Sequence, residues 1–140
     1  MSVRKASLPN DIKSILSLLK YIDLSIYPGP IDIENPDDQW FVYEENRKII
    51  GCVAARRSRG EIRHVVVLPK HQKKGVGSKR VKQGIEFLKS MGYSSVWAQI
   101  RVCNKKSRGL FERLGFKQKP RVVTSRKDPK VKLYKYEFEL

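Results

Sequence analysis

Apolar residues recur at the three- and four-residue spacing of one helical face at Ile12, Ile15, Leu16, Leu19 and Ile22, and they predict a helix there. Pro9 precedes it at a first turn, where its missing N–H costs nothing, and Asn10 and Asp11 stand near the positive end. The helix is preceded by a short predicted strand, Ser2 to Ser7. Tyr27-Pro28-Gly29-Pro30 breaks the pattern, and residues 27–39 read as an irregular acidic loop with Asp32, Glu34, Asp37 and Asp38. Trp40 to Tyr43 and Ile49 to Arg56 are predicted strands joined by a hairpin at 44–48. A turn at Arg57-Ser58-Arg59-Gly60 leads into a strand from Glu61 to Leu68. Val81, Ile85 and Leu88 then mark a second helical face. From Ser95 to Val102, Val96, Ala98, Ile100 and Val102 alternate with Trp97, Gln99 and Arg101, as a half-buried strand requires. Asn104 opens a short helix. Arg121 to Val123 and Lys132 to Leu140 are the last strands, separated by a basic loop at 124–130. The order β-α-β-β-β-α-β-α-β-β predicts an α/β fold, a twisted mixed sheet of about seven strands with helices on both faces. At 140 residues this is a single domain with a core of its own.

Chemistry enters where the Val65-Val66-Val67-Leu68-Pro69 strand empties into Gln72-Lys73-Lys74-Gly75-Val76-Gly77. Strand, glycine-rich turn and helix start together form an anion cradle. Glycines let the backbone approach a ligand, and the unpaired N–H groups of the first turn point at it. Lys73, Lys74, Lys79 and Arg80 add positive charge, so a pyrophosphate suits the site. A dinucleotide fingerprint needs a glycine where Arg80 stands, and a P-loop needs a lysine where Ser78 stands, so neither motif fits. The plainer alternative is a pair of chain-turning glycines beside a solvated lysine face.

Two separated signatures then match in order and spacing. The first is Val-x-Pro-x-x-Gln-x-x-Gly-x-Gly, from Val67 to Gly77. The second is Arg-x-x-Asn followed by a helix and Leu-Gly-Phe, here Arg101, Asn104 and Leu114-Gly115-Phe116. Over roughly residues 40 to 118 the chain resembles the GNAT superfamily of acyl-CoA-dependent N-acyltransferases. That resemblance implies splayed central strands, with acetyl-CoA as co-substrate entering between them and its pantetheine arm paired to the strand edge. It implies cofactor contacts from Val65, Val66, Val67, Gln72, Lys73, Lys74, Gly75, Val76, Gly77, Ser78, Lys79, Arg80, Asn104 and Phe111. The thioester carbonyl is expected against the backbone N–H near Val66 or Val67, and the acceptor amine attacks directly. Glu61 is the expected base. It lies eleven residues before Gln72, the spacing of the catalytic glutamate in histone-acetyltransferase members, and strand parity puts it on one face with Arg63, Val65 and Val67. The alternative is a solvated carboxylate paired with Arg63 or Arg59. Asn104 matches the residue that bonds the pantetheine arm and is also a good helix N-cap.

Two departures bear on mechanism. Phe111 stands where many members carry a tyrosine that protonates the leaving thiolate. Its ring reads as core packing, whereas the family register implies that it flanks the pantetheine sulfur. Gln99 stands where ribosomal-protein N-terminal acetyltransferases tend to have glutamate, which argues against that branch.

Net charge is +16, unevenly spread: residues 1–40 carry four Lys/Arg and six Asp/Glu, a net of −2, leaving +18 for the rest. Acetyl-CoA accounts for few of these cations, so nucleic acid, the ribosome or an acidic protein is an open possibility for partner, beside a simple basic surface. The acidic 27–39 loop suits a cationic amine instead. Cys52 and Cys103 read as reduced core residues, and two isolated histidines make no metal cluster. No apolar run reaches membrane-spanning length, and Met1 to Lys5 lack a signal-peptide stretch, so a cytoplasmic protein is expected.

Overall fold

The computed structural model describes residues 2–20, 31–68, 76–125 and 129–140, with the backbone alone for Ser2, Val76 and Gly77. The elements are β1 (Ser2–Lys5), α1 (Ile12–Leu19), β2 (Asp38–Glu45), β3 (Lys48–Arg56), β4 (Glu61–Val67), α2 (Val76–Ser90), β5 (Ser95–Arg101), α3 (Lys105–Arg113), β6 (Lys117–Thr124) and β7 (Lys132–Glu139). They form one seven-stranded sheet in the order β1-β2-β3-β4-β5-β7-β6. The β4–β5 pair is parallel, because α2 must cross between them, and the other neighbours are antiparallel.

Each face has its own apolar layer. Ile15, Leu18 and Leu19 of α1 pack on Trp40, Val42, Cys52, Ala54 and Val66. On the opposite face Val81, Ile85 and Leu88 of α2 and Phe111 of α3 pack on Phe41, Val53, Ile62, Val96, Ala98 and Ile100. Each fully buried aliphatic side chain contributes about 1.5–3 kcal/mol. Leu16, expected on the buried stripe of α1, is 53% exposed, because that short helix buries only the narrow 15–18–19 edge. Asp11 does not cap α1. Its carboxylate accepts from Arg4 Nη1 at 2.7 Å and from the Ser7 N–H at 2.7 Å, tying the helix start to β1. Arg4 above all holds the Asp11 carboxyl below the usual carboxylate range.

One irregularity governs everything downstream. Cys52 pairs with Val66 and Ala54 with Arg63, so a single residue of β3 faces two of β4, a β-bulge. His64 sits in it at φ +53 and stacks on Trp40, ring centroids 5.5 Å apart. Burial pushes the imidazole down to about 3, so it is neutral near pH 7. The extra residue reverses the strand's alternation. Ile62 and Val65 belong to the α2-side layer, whereas Val66 belongs to the α1-side layer. Glu61 and Arg63 therefore do not share a face with Val65 and Val67, as uninterrupted parity requires.

Candidate active site

β4 and β5 touch at one point. Glu61 is in register with Trp97, the Trp97 N–H donates to the Gly60 carbonyl at 3.1 Å, and Trp97 Nε1 donates to the Arg59 carbonyl at 2.7 Å. Beyond it, Ser95–Arg101 pairs along its whole length with β7, and no other residue of β4 is in register with β5 among those described. The strands splay. The Leu68 N–H donates to the Ile50 carbonyl of β3 at 2.9 Å, so alternation turns the amide edges of Val65 and Val67 towards the gap and that of Val66 towards β3. Of the two backbone donors expected at the thioester, Val67 has the suitable direction and Val66 does not. An extended, amide-bearing ligand can add to this edge as a strand would.

At the head of the gap α2 begins at Val76, with no acidic residue in its first turn. Gln72, Lys73, Lys74 and Gly75 lie outside the described residues, and Val76 and Gly77 are described as backbone at the helix start. Ser78 is half-buried and Lys79 exposed at that end, both near first-turn N–H groups without intrahelical partners. Arg80, one of the cations expected at the pyrophosphate, does not reach the surface. It is fully buried, and its Nε donates to the Cys52 carbonyl at 3.0 Å. One helical turn from Gly77, the chain is already facing the sheet.

On the β5 side, Asn104 Oδ1 accepts the Ser107 N–H at 3.1 Å and caps α3, leaving its amide N–H groups for other use. Arg108 braces the turn, donating from Nη1 to the Val102 carbonyl at 2.9 Å and from Nε to the Tyr136 hydroxyl at 3.1 Å. That hydroxyl in turn donates to Glu112 Oε1 at 2.9 Å. Sequence reading missed this network. Its only local signal is the four-residue spacing of Arg108 and Glu112. Phe111 is 3% exposed and meets Phe116 edge to face at 4.9 Å, so it is core packing and not a wall of the gap. Cys103, expected in the core, is exposed in the β5–α3 turn, whereas buried Cys52 has its thiol pushed up to about 12 and is no nucleophile.

Glu61 occupies a row that runs through six strands: Asp38, Arg56, Glu61, Trp97, Glu137 and Lys117 are successive register partners. Arg56 is held by Asp38 through two 2.9 Å hydrogen bonds, which leaves Arg63 Nε as the cation nearest to Glu61, 3.8 Å from Oε1. Glu61 is 6% exposed, and Oε1 accepts no hydrogen bond among the described residues. It is not the solvated carboxylate of the alternative reading. Burial raises its proton affinity, and the charges of Arg63, Arg59 and Arg56 oppose that without reversing it. A carboxylate in this state is a stronger base than one in water.

A cleft of about 720 Å³ opens elsewhere, between α1 and the β2–β3 hairpin, beside Arg4, Lys20 and Arg47. None of the expected site residues lines it. Among the described residues no group of three or more His, Cys, Asp or Glu gathers as metal ligands, and no helix is long and apolar enough to cross a membrane.

Comparison with known proteins agrees with this geometry. The model of the acetyltransferase (GNAT) family matches residues 10–116. An uncharacterized N-acetyltransferase of Methanocaldococcus jannaschii is 30% identical over 96 residues, covering 62% of this chain and 42% of that protein. N-acetyltransferase 8B of Homo sapiens is 25% identical over 112 residues, covering 71% of this chain and 49% of that protein. The chain thus spans less than half the length of these curated relatives. A GNAT family acetyltransferase from Elizabethkingia anophelis, solved with acetyl-CoA bound, superposes with a TM-score of 0.78 at 19% identity over 99% of this chain and 97% of that one. Ribosomal-protein-alanine N-acetyltransferase from Brucella melitensis gives 0.79 at 18% identity over 100% of both chains. At such identities the structural likeness speaks for the fold.

Proposed function

The chain belongs to the acetyltransferase (GNAT) family, and we propose that it moves an acetyl group from acetyl-CoA to a primary amine, of a protein or a small molecule, by direct attack in a ternary complex. The observation that carries this reading is the single point of contact between β4 and β5, which leaves a strand-wide gap beside a helix N-terminus. The pantetheine arm pairs with the Val65–Val67 edge and with Asn104, and the pyrophosphate rests on the backbone from Lys73 to Ser78. A backbone N–H on the gap edge of β4 meets the oxyanion that develops on the thioester carbonyl. Such a donor is worth on the order of 3 kcal/mol in the transition state.

An unperturbed lysine ammonium has a pKa of about 10.4, so the acceptor must lose a proton before it attacks. Glu61 takes that proton directly or through water. Its burial keeps the carboxylate basic against the opposing charge of Arg63. The leaving thiolate receives its proton from solvent, since Phe111 has none to give. The basic stretch from residue 41 onwards provides for an acceptor carried on a polyanion, nucleic acid or the ribosome among them. A second reading, a GNAT-fold module that binds acyl-CoA or nucleic acid with little catalysis, draws on the buried Phe111 and on the net +18 of residues 41–140.

The test is single-turnover release of free thiol from acetyl-CoA in the presence of a pool of amines and peptides. Release that depends on an amine supports transfer, and saturable binding without release supports the binding module. Glu61→Gln should slow turnover and remove the acid limb of the pH–rate profile. A profile that overlays the parent's would strip Glu61 of its role as base.

A further inference from the structure

Arg80 is a costly side chain to bury. It is 0% exposed, and its Nε–H donates to the Cys52 carbonyl, yet Nη1 and Nη2 have no acceptor among the described residues. The neighbouring Cys52 thiol stays protonated, so it supplies no counter-charge. Burial pushes the guanidinium down to about 10, which still leaves it charged near pH 7. With one hydrogen bond among the described residues, this buried cation costs the folded state more than an apolar side chain of similar length would.

The surroundings nevertheless make room for it. A Cβ on Gly51 would fall 2.6 Å from Arg80 Nη1 and 2.9 Å from Cζ, so the glycine is what lets the guanidinium lie on β3. Gly51 is in register with Val67, the last residue of β4, where the strand hands over to the α2 end of the gap. The charge therefore sits one turn inside α2, beneath the helix end whose N–H groups are suited to an anion. Exposed Lys79 at the same end is screened by salt, whereas a charge sealed between helix and sheet is screened far less.

We propose that Arg80 is a buried field charge for the phosphates of acyl-CoA: it strengthens the N-terminal end of α2 from beneath, without touching the ligand, and is kept at the expense of stability. The proposal rests on the reading above that the phosphates of acyl-CoA bind at that helix end. It makes Arg80 a positioning residue for the anionic half of the co-substrate and indifferent to the acyl-pantetheine half.

Arg80→Met removes the charge and keeps the length. Titration calorimetry with acetyl-CoA and with acetyl-pantetheine, which lacks the nucleotide phosphates, separates the two halves of the ligand. The variant is expected to bind acetyl-CoA about tenfold more weakly, since a unit charge roughly 10 Å away at an effective dielectric of about 20 has that effect. The loss should be similar in low and high salt. Acetyl-pantetheine should bind within about twofold of the parent, and the ligand-free melting temperature should be equal or higher. Arg80→Lys keeps the charge and should bind acetyl-CoA close to the parent. Equal acetyl-CoA affinity in parent and Arg80→Met overturns the proposal. So does a parallel loss of both ligands with a lowered melting temperature, which would make Arg80 structural. If Arg80→Met does not fold, the Lys variant decides: tenfold weaker acetyl-CoA binding with the charge retained overturns the proposal. A parent that binds neither ligand removes the acyl-CoA reading itself and the proposal with it.

Discussion

Phe111→Tyr adds one hydroxyl at the position where the family resemblance puts a proton donor, and the structure predicts that it does harm. The ring is 3% exposed, sits edge to face against Phe116 at 4.9 Å, and shares a cluster with Ile100 and Tyr136. A hydroxyl buried there without a partner costs about 1–3 kcal/mol. For a domain of this size each kcal/mol moves the melting temperature by about 3 °C, so the expected drop is roughly 3–9 °C. The assay is thermal unfolding followed by circular dichroism, with and without saturating acetyl-CoA, together with turnover per folded molecule. Both melts should fall by the same amount and turnover should not rise, because the new oxygen does not face the gap. Phe111→Ala, by comparison, opens a cavity at a cost of about 3–5 kcal/mol. A Tyr variant that melts like the parent and turns over faster would refute the reasoning, since only a hydroxyl at the thioester would gain a partner and a role together.

Gly60→Ala should destabilise the protein by about 2–4 kcal/mol in urea unfolding, because φ is +63 and the new Cβ would lie 2.8 Å from the Tyr93 ring; the parent's stability would contradict it. Asp11 has its folded-state carboxyl held low by Arg4. The parent's advantage over Asp11→Asn should therefore be complete above the unfolded value of about 3.9 and fade as pH falls through the lower folded value, a window that acid titration of both proteins reads. Glu61 is raised by burial, and the sign is opposite. The parent should hold its own against Glu61→Gln below the unfolded value of about 4.3 and lose ground as pH rises through the folded one, so urea midpoints that diverge the other way would exclude a desolvated carboxylate.

The order of all ten elements was legible because most are written as a local period, 3.6 for helices and 2 for strands. What sequence could not show depends on a break in that period or on pairing between distant segments. His64 lies in a run of apolar and β-branched residues that reads as continuous, and nothing marks the extra residue that turns Val65 and Val67 to the α2 side. The row from Asp38 to Lys117 is made by registers that bring residues from both ends of the chain to one line, so no window of sequence contains it. Sequence places Arg80 among the cations that contact the pyrophosphate, and the space that Gly51 leaves for its buried guanidinium is a property of packing. Asn104, by contrast, was read correctly as a cap, since capping is a local rule.

The single contact between β4 and β5 also bears on how this molecule comes apart. With one register pair at Glu61 and Trp97, the hydrogen-bond ladder does little to couple the β1–β4 ribbon to the β5–β7–β6 ribbon. Beside the hydrogen bonds of Trp97 to Gly60 and Arg59, their cooperativity passes through side chains, among them Val81, Ile85 and Leu88 of α2, which share one core with Ile62, Val96 and Ala98. Such a joint is non-directional and weakens on cooling, unlike a ladder. The two ribbons are thus the natural units of partial opening. Amide hydrogen exchange should divide along the line between them, with α2 exchanging only in the event that separates both.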